Sequence, residues 1–290
     1  MATRLERWED NADGAFYVDR TCIDCDACRR IAPAVFAEAS DHSFVARQPA
    51  DEAGRRRALM ALVACPTGSI GTFPKEDASA GIEAFPETVD ENVSFCGFTS
   101  RDSFGAWSYF IERPVGNVLV DSPRAVAHLL KDFERRGGVS TMFLTHRDDV
   151  ADHAAFRQRF SCERVLHEED RSEGTAGVER FLSGAEPVAL ADDLLAIPTP
   201  GHTRGHAVLL YRNKFLLTGD HLAWSRRRKG LVAFRDACWY SWKEQTRSME
   251  RLLDYSFEWV LPGHGEWHRA ESPAVMRREL ERCIAWMKTV

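Results

Sequence analysis

The 290-residue chain contains no run of about 18 apolar residues, so it offers no candidate membrane span. It also lacks an excess of basic charge. Lys and Arg total 38 against 44 Asp and Glu, a net charge of −6, which argues against a protein that coats nucleic acid or an anionic membrane. The first ten residues mix both charge signs around no apolar core, unlike a secretory signal or a transit peptide, and a cytoplasmic location is expected. Repeats at solenoid periods and low-complexity tracts are missing too. Eight cysteines are present, but not as a disulfide framework: Cys22, Cys25, Cys28 and Cys65 cluster early, while Cys96, Cys162, Cys238 and Cys283 are scattered singly. Clustered cysteines in a reducing compartment bind metal or do redox chemistry more often than they pair. The scattered four are expected to pack as small apolar groups.

The charge is unevenly placed. Residues 76–100 carry six acidic and no basic side chains, which accounts for the whole net charge. With Pro, Gly and Ser and little apolar periodicity, residues 76–92 are expected to form a solvated acidic linker. The expected domains are therefore residues 1–75 and 93–290.

In the first segment Cys22-Ile23-Asp24-Cys25-Asp26-Ala27-Cys28 has the spacing C-x2-C-x2-C. The fourth cysteine, Cys65-Pro66, follows a strand signal at residues 43–47 and a helix pattern over residues 51–64. Three thiolates from one tight loop and a fourth from a remote Cys-Pro supply the converging soft ligands that a [4Fe–4S] cluster needs. Two separated C-x2-C knuckles would have suggested structural zinc instead. Together with Ala64-Cys65-Pro66-Thr67-Gly68-Ser69-Ile70, this segment resembles a single-cluster bacterial-type ferredoxin, a small α+β domain. The resemblance implies one-electron transfer and a redox partner protein. A cluster that only staples a small domain is the plainer alternative.

In the larger segment four apolar runs each end in a residue able to bind metal. Residues 142–145 lead to His146, 194–201 to His202, 214–219 to Asp220 and 257–263 to His264. Neighbouring strand ends on one sheet edge lie about 5 Å apart, so ligands from separate segments can meet at one point. The glycines before His202, Asp220 and His264 are expected to permit the turns that aim those side chains.

This pattern resembles the metallo-β-lactamase superfamily, in the branch that includes glyoxalase II-like thioesterases. The match lies at Thr199-Pro200-Gly201-His202-Thr203-Arg204-Gly205-His206, at Thr218-Gly219-Asp220 and at Pro262-Gly263-His264-Gly265. The resemblance implies an α/β fold, a four-layer αββα sandwich, and one or two divalent ions, zinc or iron. It places His146 and His202 on the first metal, and Asp152, His153 and His264 on the second. Asp220 would bridge them, and Asp152 would act as the catalytic residue that orients water.

One motif departs from the family. Its H-x-H-x-D-H is replaced by His146-Arg147-Asp148-Asp149-Val150-Ala151-Asp152-His153, two residues longer, with Asp148 where the second His should stand. Asp148 or Asp149 would then ligate the first metal, or that site is weakened. Asp148 is favoured because a two-residue step keeps it on the same side of the extended chain as His146.

The expected activity is metal-dependent hydrolysis of a small ester, thioester or phosphoester. Two imidazoles and a carboxylate also suit iron. Flavodiiron relatives carry a carboxylate at this position and receive electrons from a fused redox module, so an iron oxidoreductase fed by the cluster is the alternative. A redox sensor with a non-catalytic metal site is a third. His206 is expected to support a ligand or to pack rather than to bind metal itself. The run Arg226-Arg227-Arg228-Lys229 would favour an anionic small-molecule substrate if it faced the site, and is otherwise a solvated loop. Trp239, Tyr240 and Trp242 could wall a pocket or fill a core.

Overall fold

The computed structural model describes residues 2–290, which divide into two compact units. The first runs to Ser140 and takes in Ala151–Ser161; the second is Thr141–Val150 with Cys162–Val290. Among the described residues no helix is long and apolar enough to cross a membrane.

The first unit opens with β1 (Phe16–Val18), α1 (Ala27–Ile31), β2 (Phe36–Glu38), β3 (Ser43–Val45), α2 (Glu52–Ala64) and β4 (Ile70–Thr72). The strands β1 and β4 pair antiparallel, as do β2 and β3. Asp51 starts α2 by accepting the Gly54 N–H at 2.7 Å, an N-cap that satisfies one free donor. Ala58, Leu59, Met60, Ala61 and Ala64 form its buried face. Pro66 stops it, because the residue before a proline is held extended, and Cys65 takes φ −51° and ψ 122° there.

The stretch expected to be a solvated linker is instead built into this unit. It holds α3 (Ser79–Ile82), which packs on α2, and β5 (Glu87–Asp90), which pairs antiparallel with β6 (Val93–Phe95). Phe85 is buried between them in sequence, and Arg57 of α2 pairs with Glu87 at 2.5 Å. Two apolar anchors, Ala84 and Phe85, outweigh the acidic composition. The ladder continues through β7 (Tyr109–Ile111) to β8 (Val118–Val120), all antiparallel. Helices α4 (Ala127–Arg135) and α5 (His153–Phe160) complete the unit, with Phe133 stacked on Phe110 at 4.3 Å and tilted against Phe156.

In the second unit β9 (Thr141–Phe143), β10 (Glu163–His167) and β11 (Arg180–Leu182) run parallel. A separate ladder is formed by β12 (Val188–Ala191), β13 (Leu194–Pro198), β14 (Ala207–Tyr211) and β15 (Phe215–Gly219), antiparallel in sequence order. A hairpin of β16 (Ala223–Ser225) and β17 (Gly230–Val232) and helix α6 (Trp242–Arg251) follow. Then β18 (Trp259–Pro262) joins the ladder parallel to β15, β19 (His268–Arg269) closes it, and α7 (Pro273–Met287) ends the chain. Every residue of β14 and β15 is buried, which explains why they are unbroken apolar runs rather than alternating ones. Ile197, Val208, Leu210, Leu216 and Val260 from the sheet share one core with Met249 of α6 and Leu280 and Ile284 of α7.

This topology aims the ligand residues. Strands β13, β15 and β18 point the same way, so His202, Asp220 and His264 emerge from one edge. The tip of β9 joins them because the Ala207 N–H donates to the Thr145 carbonyl at 2.8 Å, beside His146.

Candidate metal centre and cluster site

In the second unit Asp220 sits at the middle of the convergence. Its Oδ2 lies 3.8 Å from His146 Nε2, 3.7 Å from His202 Nε2 and 3.7 Å from His264 Nε2. Asp148 Oδ2 lies 3.4 Å from His202 Nε2 and 4.0 Å from His146 Nε2. These gaps suit an ion rather than hydrogen bonds, since bonds of about 2.0–2.2 Å to one metal leave its ligand atoms roughly 3–4 Å apart. His146 Nε2 and Asp220 Oδ1 are buried and make no hydrogen bond among the described residues. Buried polar atoms left in that state normally have an ion or water to satisfy them. The donors form two groups that could each hold a metal: His146, Asp148 and His202, and His146, Asp149 and Asp220.

Both aspartates of the altered motif therefore enter the centre, where the sequence favoured Asp148 alone. Asp148 is half-exposed and completes the two-imidazole group. Asp149 is buried against Asp220: a Cβ on Gly263 would lie 2.8 Å from an oxygen of each carboxylate. Gly263 is thus required for space, and of the three glycines before the ligands only Gly219, at φ +46°, adopts the left-handed region. Asp152 and His153 belong to the first unit. Asp152 precedes α5 and accepts the Ala125 N–H at 2.8 Å, and His153 is the buried first residue of that helix.

The surrounding groups fix the ligands. His146 Nδ1 is bonded to Thr145 Oγ1 at 3.0 Å, which leaves Nε2 for a metal. Asp170, which the sequence analysis missed, is fully buried and accepts three bonds: from the Arg147 N–H at 3.1 Å, the Thr203 hydroxyl at 2.6 Å and the Gly205 N–H at 2.8 Å. It ties the His146 loop to the His202 loop. His206 is buried with Nδ1 on Thr199 Oγ1 at 2.9 Å.

Burial pushes His146 down to about 4 against the pull of Asp220. Burial pushes the adjacent His221 down to about 3 and keeps His206 well below its ordinary value. For Asp220, burial would raise the carboxyl, but the charges of His264, His146 and His202 outweigh it and hold it low. Contact with His202 holds Asp148 low as well. His202 goes the other way: burial lowers it, and Asp148 and Asp220 together raise it above its ordinary value. The neutral imidazole of His146 beside the ionised Asp148 and Asp220 is in the protonation state that binds a divalent ion.

A pocket beside the centre is lined by His167, Glu169, Pro200, Arg204, Tyr240 and Glu244 among others. Trp239 is 64% exposed with its ring 6.1 Å from that of His202, so these aromatics border the site rather than fill a core. Trp242 instead packs on α7. The Arg226–Lys229 run is the turn of the β16–β17 hairpin, where Arg226 pairs with Glu266 and Arg228 lies over Trp286. Of the scattered cysteines, Cys96, Cys162 and Cys283 are buried as expected; Cys238 donates to the Gly201 carbonyl at 3.1 Å, in the loop that carries His202.

In the first unit Cys22, Cys25, Cys28 and Cys65 line one hollow with Ile23, Ser43, Thr67 and Ser69. Burial pushes Cys25 up to about 12, with repulsion from Cys65 and Cys22 adding to it, and Cys28 is raised in the same way. Four thiols this close and this desolvated become ligands only if cations compensate them, which an iron–sulfur core does. Backbone N–H groups are already aimed at the sulfurs, from Ser43 to Cys22 at 3.5 Å and from Ser69 to Cys65 at 3.3 Å. The loop holds its shape through Arg29, bonded to Asp24 at 2.6 Å and Asp26 at 2.8 Å, both aspartates having positive φ.

Both parts of the chain have counterparts among known proteins. Residues 18–72 match the family described as the 4Fe-4S single cluster domain of Ferredoxin I. The structure is similar to that of DIM-1 metallo-beta-lactamase, with 20% identity and a TM-score of 0.52, over 68% of this chain and 96% of that one. The fold is that of the metallo-β-lactamases. VMB-1 superposes with a TM-score of 0.52 at 17% identity, over 70% of this chain and 95% of that one. The B3 metallo-beta-lactamase BLEG-1 does so with 0.50 at 17%, over 61% and 93%. No curated protein sequence matches the chain significantly. A metallo-β-lactamase fold joined to a ferredoxin-type domain thus accounts for the α/β class.

Proposed function

We propose that the protein is a metal-dependent hydrolase acting on a small ester, thioester or phosphoester. The observation that carries this is the convergence of His146, Asp148, Asp149, His202, Asp220 and His264 on one point, with His146 Nε2 and Asp220 Oδ1 buried and aimed at it. A divalent ion held there supplies Lewis-acid polarisation of a substrate oxygen and a water nucleophile at neutral pH. The chain's own groups do the rest. His146 is locked by Thr145 so that its free nitrogen faces the ion, and Asp170 keeps the two histidine loops in register. Asp148, half-exposed and held ionised by His202, is the carboxylate at the mouth able to accept a proton. The adjoining pocket would hold the rest of the substrate, and its three glutamates beside Arg204 give it no net preference for an anion.

The test is turnover of a thioester, ester and phosphodiester panel by protein carrying its native metals. Activity lost in His264→Ala with the fold intact supports the reading. No turnover of any member, with the metal bound, overturns it.

A second reading, an iron oxidoreductase fed by the cluster, is favoured by one observation: His146, Asp148 and His202 form a two-histidine, one-carboxylate group. Metal analysis separates the two. Zinc beside the cluster iron supports hydrolysis, and iron in excess of the cluster supports redox chemistry.

A further inference from the structure

Of the charged side chains in the cluster loop, Asp24, Asp26, Arg29 and Arg30, the last is the most deeply buried, 3% exposed against 37% for Asp26. Its Nη2 donates to the Cys25 carbonyl at 3.2 Å and its Nε to Asp26 Oδ2 at 3.0 Å. Its Nη1 is buried and makes no hydrogen bond among the described residues. The guanidinium also lies 5.1 Å from the ring centroid of Trp107, which is itself buried and stacked on Phe95 at 4.0 Å. Trp107 belongs to the same compact unit but stands outside residues 18–72, the segment that matches the ferredoxin family. The chain leading to it touches the cluster loop, since a Cβ on Gly105 would come within 2.7 Å of Cys25 Cβ.

The two cations and two carboxylates of this loop sum to zero, but water does not screen them equally. Arg29 pairs with Asp24 at 2.6 Å and Asp26 at 2.8 Å, and both carboxylates reach solvent. Solvent damps the field of an exposed charge and leaves that of a buried one largely intact. Arg30, bonded to the main chain of a cluster ligand, is therefore the loop charge felt most strongly at the cluster. Burial raises the Cys25 thiol, and Arg30 acts in the opposite direction. A cation fixed there favours the more negative, reduced state of the cluster, because the potential of an iron–sulfur centre follows the charge, hydrogen bonding and solvent exposure around it.

We infer that Arg30 holds up the reduction potential of the cluster by its charge, and that Trp107, from outside the ferredoxin segment, keeps that charge out of water. Arg30 is a positioning residue in this, acting across Cys25 without touching the iron or its sulfurs. One-electron reduction by an external donor adds one negative charge and makes or breaks no bond. The inference is independent of the metal centre in the second unit.

The experiment is a redox titration of the full-length protein with its cluster, using dithionite as the reductant and electron paramagnetic resonance as the readout. In Arg30→Gln the cluster should be harder to reduce, the ratio of reduced to oxidised protein at a fixed solution potential falling about tenfold, which is about 59 mV for a one-electron couple. Arg30→Lys, which keeps the charge, should recover most of that ratio. In a Trp107→Leu background, where the guanidinium is hydrated, the same Arg30→Gln substitution should change the ratio by less, a coupling that a double-mutant cycle isolates. A potential that is unchanged or higher in Arg30→Gln overturns the inference, as does an Arg30→Lys protein no closer to wild type than Arg30→Gln. An effect of equal size in both backgrounds overturns the part assigned to Trp107. If Arg30→Gln takes up no cluster, Arg30→Met, which keeps the side-chain stem against Trp107, replaces it. Loss of the cluster from both, read from iron and sulfide content, overturns the inference in favour of a purely structural role.

Discussion

Asp170 accepts the Thr203 hydroxyl at 2.6 Å, next to His202, although no metal-ligand pattern in the sequence includes Asp170. Because the same carboxylate also holds the Arg147 N–H one residue past His146, it sets the distance between two ligands from different segments.

Replacing Asp170 with Ala should therefore damage both stability and metal binding. Leaving a buried donor without its partner costs about 1–3 kcal/mol, so losing the acceptor of three hydrogen bonds in a buried site should cost about 3 kcal/mol or more. Chemical denaturation of the metal-free protein measures this. Asp170→Asn, which keeps an acceptor, should lie between wild type and Asp170→Ala.

Asp148 and Asp149 should differ in their effects. Asp149→Asn removes one of two buried carboxylates facing each other across Gly263, so metal affinity should fall about 10-fold or more. Asp148 is half-exposed, and Asp148→Asn should weaken the metal less but lower turnover more. Calorimetric metal titration beside steady-state kinetics separates the two. Equal effects on both measurements would contradict the split.

Gly105 lies against the cluster loop, with φ +83°; a Cβ there would come within 2.7 Å of Cys25 Cβ and 2.9 Å of its sulfur. Gly105→Ala should lower iron and sulfide content and visible absorbance. The left-handed backbone adds about 1–2 kcal/mol of strain. Gly184→Ala, at another positive φ but with open space around it, is the control that should keep its cluster.

Acidification should destabilise the metal-free protein. His146 at about 4 and His221 at about 3 bind their protons less readily folded than unfolded, where an ordinary histidine titrates near 6.5. Between those limits the unfolded chain binds more protons, so stability is fully present above about pH 6.5 and is lost as pH falls toward 4 and then 3. Each group contributes up to about 1.4 kcal/mol per pH unit in its window. Denaturant midpoints from pH 7 to pH 4 check it; a flat profile would show that these imidazoles are not held neutral.

Much of the two sites was legible in the sequence because each ligand sits in a short local pattern. Cys22, Cys25 and Cys28 share one loop, and Cys65 is set by the proline that stops α2. His202, Asp220 and His264 each follow an apolar run long enough to be a strand. What was not legible depended on contacts between distant segments. Asp149 enters the centre because Gly263 leaves room beside it, Asp170 because three loops meet on it, and residues 76–92 are ordered because Phe85 and Arg57 find partners that composition does not reveal.

The sequence by itself determined the donors: which residue types stand at the strand ends, which thiols can meet around a cluster, and that two kinds of metal chemistry share one chain. These follow from local spacing, since strand and loop geometry act over a few residues. Only the tertiary structure decided which carboxylates face the histidines. Burial and hydrogen bonding there depend on segments tens of residues apart, brought together by the packing of sheets and helices.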